Sequence, residues 1–423
     1  MDRKQILQWL RENEDRRLEP LWRQADAARR RSVGDEVHLR GLVEISNHCV
    51  RECAYCGLRA GHRQLNRYRM SADEILQCAR QAVAFGYGTV VLQSGEDPGL
   101  TAEGMADVVR RLKAETPLAV TLSLGERRDE DLVRWRAAGA DRYLLRFETS
   151  NRELYASIHP PLFAALERRP RHGLRPCLGG RLAILRRLRE LGYEIGSGVM
   201  IGIPGQTYDD LARDLELFRE LDLDMIGVGP FIVHPATPLA EEGAARCAVA
   251  GADQVPASEP MTYKVIALAR ILCPQANIPS TTALATLNLA RGREQGLERG
   301  ANVIMPNLTP LPYRVLYEIY PAKACLRETP QMCHACLQTR IESIGRTVGV
   351  GRGDSPRYRG GWTAGPSRAK KGTAPFPQQP GRVQPPFSLP RAIGGEPSGH
   401  PGTATSRAVA GGTPDVPGWK EVV

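Results

Sequence analysis

Short apolar runs alternate with longer amphipathic stretches through most of the chain. The runs that predict strands are residues 42–46, 89–93, 118–123, 141–146, 195–201, 225–230, 277–282 and 302–306. The stretches between them repeat their apolar positions every three to four residues, which is typical of helices that bury one face. They predict helices at 71–85, 101–114, 130–138, 181–191, 208–221 and 261–272. Helix start and stop signals agree, since Ser71 with Glu74 resembles a capping box and Gly86, Gly139 and Gly192 follow helix ends.

This alternation of eight strands with helices predicts an α/β fold of the (β/α)8, TIM-barrel type. Parallel strands need crossover helices, which form an outer ring. A doubly wound open sheet is the alternative. In a barrel, residues 41–350 form the body and the catalytic residues lie at the carboxyl ends of the strands. Residues 1–40, helical and charged, form an N-terminal extension that packs across the bottom or the side of the barrel.

Composition changes abruptly at residue 351. Of the 73 residues 351–423, 26 are Gly or Pro, and ten Lys and Arg face four Asp and Glu. Such a segment cannot bury enough apolar surface to offset the entropy of ordering it. We expect a disordered, basic tail that is a solvated extension.

Charge and hydropathy exclude two classes of protein. The net charge of +10 comes largely from the tail, so the body is not the strongly basic domain that nucleic-acid binding favours. No apolar run approaches the roughly 20 residues of a membrane-spanning helix. The charged N-terminus, MDRKQILQWLRENED, does not suit a secretory signal. We therefore expect a cytoplasmic protein with no specific nucleic acid and no membrane as partner.

Three of the ten cysteines, Cys49, Cys53 and Cys56, lie on a short loop directly after the first predicted strand. Three thiolates at this spacing can hold three irons of a [4Fe–4S] cube. The fourth iron then lacks a protein ligand, whereas electron-transfer clusters normally have four cysteines. The pattern therefore indicates an open iron position for an exogenous ligand. A zinc site completed by His48, or unrelated cysteines, are the alternatives.

The three-cysteine pattern, with Tyr55 before the last cysteine, resembles the radical S-adenosylmethionine (SAM) superfamily. The resemblance implies that the methionine part of SAM chelates the open iron. It also implies that SAM is bound by Tyr55, Glu96, Ser123, Glu148 and Arg181. Glu96 would bind the ammonium group of the methionine part of SAM. A hydroxyl, a carboxylate and a guanidinium from different strand ends suit the ribose and the carboxylate of SAM. The string GVMIGIPG at 198–205 resembles the glycine motif of the fifth strand, which implies a close approach of adenine to the backbone.

Longer strings resemble the [FeFe]-hydrogenase maturase family HydE across roughly residues 35–345. They include RYRMSADEIL, VVLQSGEDPG, AGADRYLLRFET, IGIPGQT, GPFIVHPATPLA and GANVIMPN. The resemblance implies an adenosyl radical that attacks a cysteine-bound Fe(II) dicarbonyl cyanide complex during assembly of the di-iron subsite of the hydrogenase H-cluster. It further implies the maturases HydG and HydF as partners and a flavodoxin or ferredoxin as electron donor.

A second cysteine group, Cys325, Cys333 and Cys336, follows the eighth predicted strand. Some members of the family bind an accessory cluster here, often [2Fe–2S], so the resemblance implies a possible second iron–sulfur site. A loosely bound zinc with His334, or no metal at all, is equally compatible with the spacing.

Matching strings also imply residues that line the barrel and contact the substrate. These are Gln93, Thr121, Arg146, Thr281, Thr282, Met305 and Tyr320. Arg146 is the clearest, because a guanidinium inside a barrel is costly unless it meets an anion. A salt bridge between Arg146 and Glu148 is the alternative.

Two features depart from the family pattern. Phe147 stands where related sequences often carry His, and alternation along the strand predicts that it faces away from Arg146 and Glu148. The Arg- and Pro-rich insertion between His159 and Gly180 predicts a surface excursion.

Three other functions compete with this interpretation. Biotin synthase shares the barrel but needs cysteines on its inner strands, which are missing here. A methylornithine synthase-like mutase shares the SAM residues, although it should lack the second cysteine group. A zinc-containing nucleic-acid binder would leave both the eight-strand pattern and the three-cysteine loop unexplained.

Overall fold

The computed structural model describes residues 1–160 and 178–357, and most of the insertion lies outside these residues. The helices are α1 (Arg3–Arg11), α2 (Asp15–Val33), α3 (Ala72–Ala84), α4 (Ala102–Glu115), α5 (Asp129–Ala137), α6 (Arg152–Ile158), α7 (Leu178–Glu190), α8 (Tyr208–Glu220), α9 (Pro238–Ala250), α10 (Glu259–Leu272), α11 (Thr282–Leu287), α12 (Gly292–Glu298), α13 (Leu311–Arg314) and α14 (Pro330–Ser343). In this part of the chain, no helix combines the length and the apolar character needed to cross a bilayer.

The six predicted helices are confirmed, each to within one turn. The capping box of α3 is present, because Ser71 Oγ accepts from the Glu74 backbone and the Glu74 side chain accepts from Ser71 N at 2.7 Å. Gly139 follows α5 with a φ of 110°, a conformation that residues with a side chain rarely adopt. Local sequence therefore sets these helix ends.

The strands form a curled, parallel sheet. They are β1 (Glu36–Ser46), β2 (Thr89–Ser94), β3 (Ala119–Ser123), β4 (Arg142–Leu144), β5 (Glu194–Ser197), β6 (Met200–Ile201), β7 (Met225–Ile226), β8 (Gly229–Pro230), β9 (Val303–Ile304) and β10 (Thr347–Val348). The main order is β10-β1-β2-β3-β4-β5-β7, and β9 also pairs with β1. Parallel bridges from Met225 to Asn277 and from Pro279 to Val303 connect β7 to β9. Paired backbone therefore runs around the ring, as the (β/α)8 prediction requires.

Two predicted strands are interrupted, and a third is shortened to isolated bridges. The fifth divides into β5 and β6, and the sixth into β7 and β8, because the backbones cross closely between them. A Cβ on Gly198 would lie 1.8 Å from the Gly227 carbonyl oxygen. Gly198 is thus required by strand packing. The predicted strand 277–282 is present only as the bridges at Asn277 and Pro279, where proline offers no N–H to a ladder.

The N-terminal extension packs on the side of the barrel, against α8 and α10. Lys264 of α10 donates to the carbonyls of Leu10 and Glu12 at 2.8 and 2.7 Å. The extension is shorter than predicted, because β1 already begins at Glu36.

The body of the fold continues past residue 350, so the predicted start of the tail at 351 is wrong. Residues 351–357 pack across the amino ends of the strands. The Gly353 carbonyl accepts from Arg40 at 2.9 Å, and the Arg352 carbonyl accepts from Thr89 at 2.8 Å. Ser355 is buried and its N–H donates to Glu194 at 3.1 Å. This segment, the C-terminal plug, closes the bottom of the barrel; residues 358–423 lie outside the described residues.

Candidate active site at the carboxyl ends of the strands

A cavity of about 370 Å³ opens at the carboxyl ends of the strands. Nearly all of the residues predicted for the site line it: Cys49, Cys53, Cys56, Tyr55, Gln93, Glu96, Ser123, Arg146, Glu148, Arg181, Thr281, Thr282, Met305 and Tyr320. Thr121 is not on its wall. It is buried in β3 two residues before Ser123, and its hydroxyl has no hydrogen-bond partner among the described residues.

The cysteine loop leaves β1 and crosses the mouth of the barrel. Cys49, Cys53 and Cys56 are free thiols on one cavity. Burial raises the pKa of Cys56 to about 12 and that of Cys53 well above its usual value. Three thiols on one cavity are a donor set that fits the [4Fe–4S] cluster that the sequence predicts. In residues 1–160 and 178–357, no three His, Cys, Asp or Glu side chains converge on a single metal ion.

Two arginines and two glutamates form a buried network beside this loop. Arg51 Nε donates to Glu96 in a short contact, and Arg51 Nη2 lies 3.2 Å from Glu126 Oε2. Arg181 donates to Glu126 Oε1 at 2.9 Å and approaches Glu96 Oε1 at 3.8 Å. Gly125 permits this packing, because a Cβ there would lie 2.0 Å from Glu96 Cγ.

The network holds polar atoms without hydrogen bonds. Arg51 Nη1 and Glu126 Oε2 are buried and unbonded within the described structure, since the Arg51–Glu126 contact has a short distance but poor geometry. A buried group in this state is costly. Of the two residues, Arg51 lines the cavity. Glu96 and Arg181 are among the residues predicted from the sequence, whereas Arg51 and Glu126 are not.

Glu148 lies in a strained turn at the end of β4. Its φ is 65°, and its backbone is held by hydrogen bonds to Gly198 O and from Met200 N, both at 3.1 Å. Arg146 Nη2 lies 3.0 Å from Glu148 Oε2, so the alternative salt bridge is formed. Arg146 Nε nevertheless stays buried without a partner in this part of the structure. Non-glycine residues with positive φ concentrate at functional sites.

Phe147 faces away from Arg146 and Glu148, as alternation predicts. It is fully buried, and its ring centroid lies 5.8 Å from that of Phe218 on the outer side of the strand. The Phe147 departure from the family pattern therefore does not touch the cavity.

A second buried ion pair joins Glu44 of β1 to Lys323. Asn307 donates to the other Glu44 oxygen at 2.9 Å, and Lys323 Nζ lies 5.3 Å from the centre of the Tyr317 ring. Both charged residues line the cavity, as does Arg293. Sequence analysis missed all three, although an acid inside an otherwise apolar strand is a signal for Glu44.

The second cysteine group is only partly assembled. Arg293 Nη2 lies 3.6 Å from Cys325 Sγ. The Cys333 thiol and the charge of Arg293 lower the pKa of Cys325 to about 6. Cys333 is buried in α14, whereas Cys336, one turn later, is exposed. The structure thus brings two of the three predicted ligands together.

Comparison with known proteins agrees with this architecture. The family model for the radical SAM superfamily matches residues 43–218. The [FeFe] hydrogenase maturase subunit HydE of Thermotoga maritima is 47% identical over 78% of this chain and 87% of its own length. The 3-methylornithine synthase of Methanosarcina acetivorans is 26% identical over 68% and 74%.

A solved structure extends the likeness to the whole fold. The crystal structure of methylornithine synthase (PylB) superposes with a TM-score of 0.66 at 22% identity, covering 82% of this chain and 94% of that one. The fold, the arrangement of the site and the identity to the maturase together place the chain: it belongs to the radical SAM superfamily and, within it, to the HydE family of [FeFe]-hydrogenase maturases.

Proposed function

We propose that this protein is a radical SAM enzyme of [FeFe]-hydrogenase maturation that acts on an iron precursor of the di-iron subsite. One observation carries the proposal: three free thiols line one cavity together with Arg51, Glu96 and Arg181, and Glu126 pairs with both arginines. A [4Fe–4S] cluster bound by Cys49, Cys53 and Cys56 would supply the single electron that splits SAM into methionine and a 5′-deoxyadenosyl radical.

The network suits the methionine part of SAM. Glu96 offers a carboxylate to the ammonium group, and Arg181 offers a planar guanidinium to the carboxylate. Arg51 and Glu126 then keep both charges compensated while SAM is absent. Ser123 and Glu148, at the ends of neighbouring strands, are placed to bind the ribose hydroxyls, and Tyr55 borders the same space.

The remaining wall suits a small anion. Arg146, Arg293 and Lys323 contribute cationic groups, and the Thr281 hydroxyl is buried without a partner in the described residues. We propose that these residues hold a cysteine-bound Fe(II) dicarbonyl cyanide substrate, with Gln93, Thr282, Met305 and Tyr320 completing the wall. HydG would supply this substrate, HydF would act later in assembly, and a flavodoxin or ferredoxin would donate the electron.

The test is a defined, oxygen-free maturation mixture in which this protein is omitted and then restored. We expect hydrogenase activity to be absent without it and recovered on addition of the wild-type chain or of the Cys247→Ser variant. The Cys53→Ser variant should restore nothing and form no 5′-deoxyadenosine while remaining folded. Full recovery with Cys53→Ser would contradict the proposal.

A methylornithine synthase-like mutase is the weaker candidate, because identity to the maturase is far higher. Lysine-dependent formation of methylornithine by the purified protein would favour it. An accessory [2Fe–2S] cluster at Cys325, Cys333 and Cys336 stays a prediction.

A further inference from the structure

The middle of the cysteine loop is embedded in a small hydrophobic cluster separate from the main core. Tyr55 packs against it, and its buried members are Ala54, Leu154, Ile158, Met200, Ile203 and Leu239. They come from α6, from β6 and the turn after it, and from the start of α9. The part of the loop between Cys53 and Cys56 is therefore held from outside the barrel.

Backbone hydrogen bonds tie the same point to two other elements. Ala54 N donates to the Ile158 carbonyl at 2.8 Å, and Leu239 N donates to the Ala54 carbonyl at 3.1 Å. Ala54 thus has both of its polar backbone groups satisfied by α6 and α9, and the position of its neighbours depends on where α6 ends.

His159, the residue that ends α6, contacts the loop through a side chain. The Tyr55 hydroxyl and His159 Nε2 share a hydrogen bond of 3.0 Å. The His159 ring stacks on Tyr155 with centroids 4.3 Å apart, and Tyr155 lies under the Arg181 guanidinium at 5.6 Å. His159 is only 4% exposed. It does not line the cavity, so its contact with the site passes through Tyr55.

His159 is buried, and Tyr55 is half-buried. Burial and the charges of Arg181 and Arg51 hold the pKa of His159 well below its usual value. If one partner of the hydrogen bond is removed, the other is left as a buried polar group without a partner, which costs more than the bond itself contributes.

We propose that His159 is a positioning residue for the cysteine loop: by holding the Tyr55 hydroxyl, it fixes the Cys53–Cys56 segment in the geometry in which its thiols and the Tyr55 ring face the cavity. The inference rests on the proposed function, because it takes the loop to be the cluster-binding loop. His159 carries out no chemistry. It controls how often the loop opens.

The first experiment measures loop opening in the cluster-free, full-length protein. Iodoacetamide is the probe, and alkylation of Cys53 and Cys56 is followed by peptide mass spectrometry. We expect His159→Phe, which keeps a ring against Tyr155, and Tyr55→Phe to react about five- to thirty-fold faster than the wild type. The double variant should react no faster than the faster single variant, because both changes remove one interaction.

Two further variants separate positioning from general destabilisation. His159→Gln keeps a hydrogen-bonding group near the position of Nε2 and should restore most of the protection. Tyr87→Phe removes a hydroxyl that also bonds to a histidine at 3.0 Å, on His334, far along the chain from the loop. It should leave Cys53 and Cys56 at the wild-type rate. Wild-type alkylation rates in His159→Phe, or additive effects in the double variant, would overturn the proposal.

The second experiment uses the reconstituted protein and measures iron loss to an excess of chelator. We expect faster loss from His159→Phe and Tyr55→Phe than from the wild type and Tyr87→Phe, under conditions in which all of the proteins remain folded. Failure of the proposed function can be told apart from failure of the positioning role. If the wild-type protein bound no cluster that responds to SAM, the proposed function would fail before any variant was compared. A cluster that is equally stable in His159→Phe would refute only the positioning role.

Discussion

Arg181 Nε donates to Glu126 Oε1 at 2.9 Å, and both side chains are less than a tenth exposed. Glu126 lies in the loop after β3 and Arg181 near the start of α7, and Arg181 reaches further to the Arg146 carbonyl at 2.7 Å. The cation predicted to bind the carboxylate of SAM is therefore held in place by an acid before any ligand arrives.

Substitution Glu126→Gln should destabilise the protein and weaken SAM binding. Removing one charge of a buried pair leaves the other uncompensated, at a cost of about 3 kcal/mol. Urea unfolding of the cluster-free chain measures this loss of stability. Asp129→Asn is the matched control, since Asp129 of α5 pairs with Arg187 of α7 at 2.6 Å on the exposed surface. For Asp129→Asn we expect the free energy of unfolding to fall by less than about 1 kcal/mol. Equal losses in the two variants would contradict the role of Glu126 as the buried partner of Arg181.

Substitution Arg146→Gln should lower maturation activity without abolishing SAM cleavage. If Arg146 binds the anionic substrate, maturation activity falls about ten- to a hundred-fold while SAM is still cleaved in the absence of substrate. Maturation activity is measured by hydrogenase activation, and SAM cleavage is measured in parallel by the formation of 5′-deoxyadenosine. The exposed Arg152 offers the control Arg152→Gln. Equal loss of both activities would assign Arg146 to SAM through its contact with Glu148.

Asp214 should give the stability a pH dependence. Burial raises its pKa to about 7, although its carboxylate accepts from Ser150 N at 2.5 Å. A raised pKa means that the folded state binds the proton more tightly. The contribution of Asp214 to stability is therefore greatest at low pH and declines as pH rises toward 7.

Substitution Asp214→Asn removes this titration. The stability of the variant relative to the wild type should rise by about 2 kcal/mol between pH 5 and pH 8, measured by urea unfolding. Asp209→Asn, at the exposed start of the same helix, should show no such trend. A pH-independent difference for Asp214→Asn would show that its carboxyl titrates normally.

The C-terminal plug should be necessary for the barrel. A chain ended after Arg357 keeps every contact described for residues 351–357, and its thermal unfolding midpoint should match that of the full chain. A chain ended after Val350 loses the acceptors of Arg40 and Thr89 and the Asp354 partner of Arg142. Buried cations without partners cost several kcal/mol, so its midpoint should fall by several degrees or more. Equal midpoints would contradict this role.

Sequence patterns predicted the barrel well because they are local. Helix ends follow from caps and glycines, and alternation predicts which side of the barrel a strand residue faces, as the outward-facing Phe147 shows. The predicted strand 277–282 failed where proline interrupts the pattern, and the tail boundary failed because a glycine-rich composition does not reveal that backbone carbonyls are buried.

The predicted site residues came from resemblance, and the missed ones depend on geometry that a single sequence does not contain. Glu126 is one of several acids in the string GERRDED, and only the turn at Gly125 decides that it faces Arg181. Lys323 meets Glu44 from a distant part of the chain. Conversely, Thr121 follows the correct alternation but lies too deep in β3 to reach the cavity.

The pairing of β1 has a consequence for how the protein is made. His38 pairs with Val303, and Glu36 pairs with Thr347. One edge of the first strand therefore pairs with residues that lie near the end of the folded part of the sequence. During synthesis this strand leaves the ribosome long before those partners exist, and such long-range parallel pairing is slow and prone to aggregation. This edge of the first strand therefore stays unpaired until translation has passed the final strands.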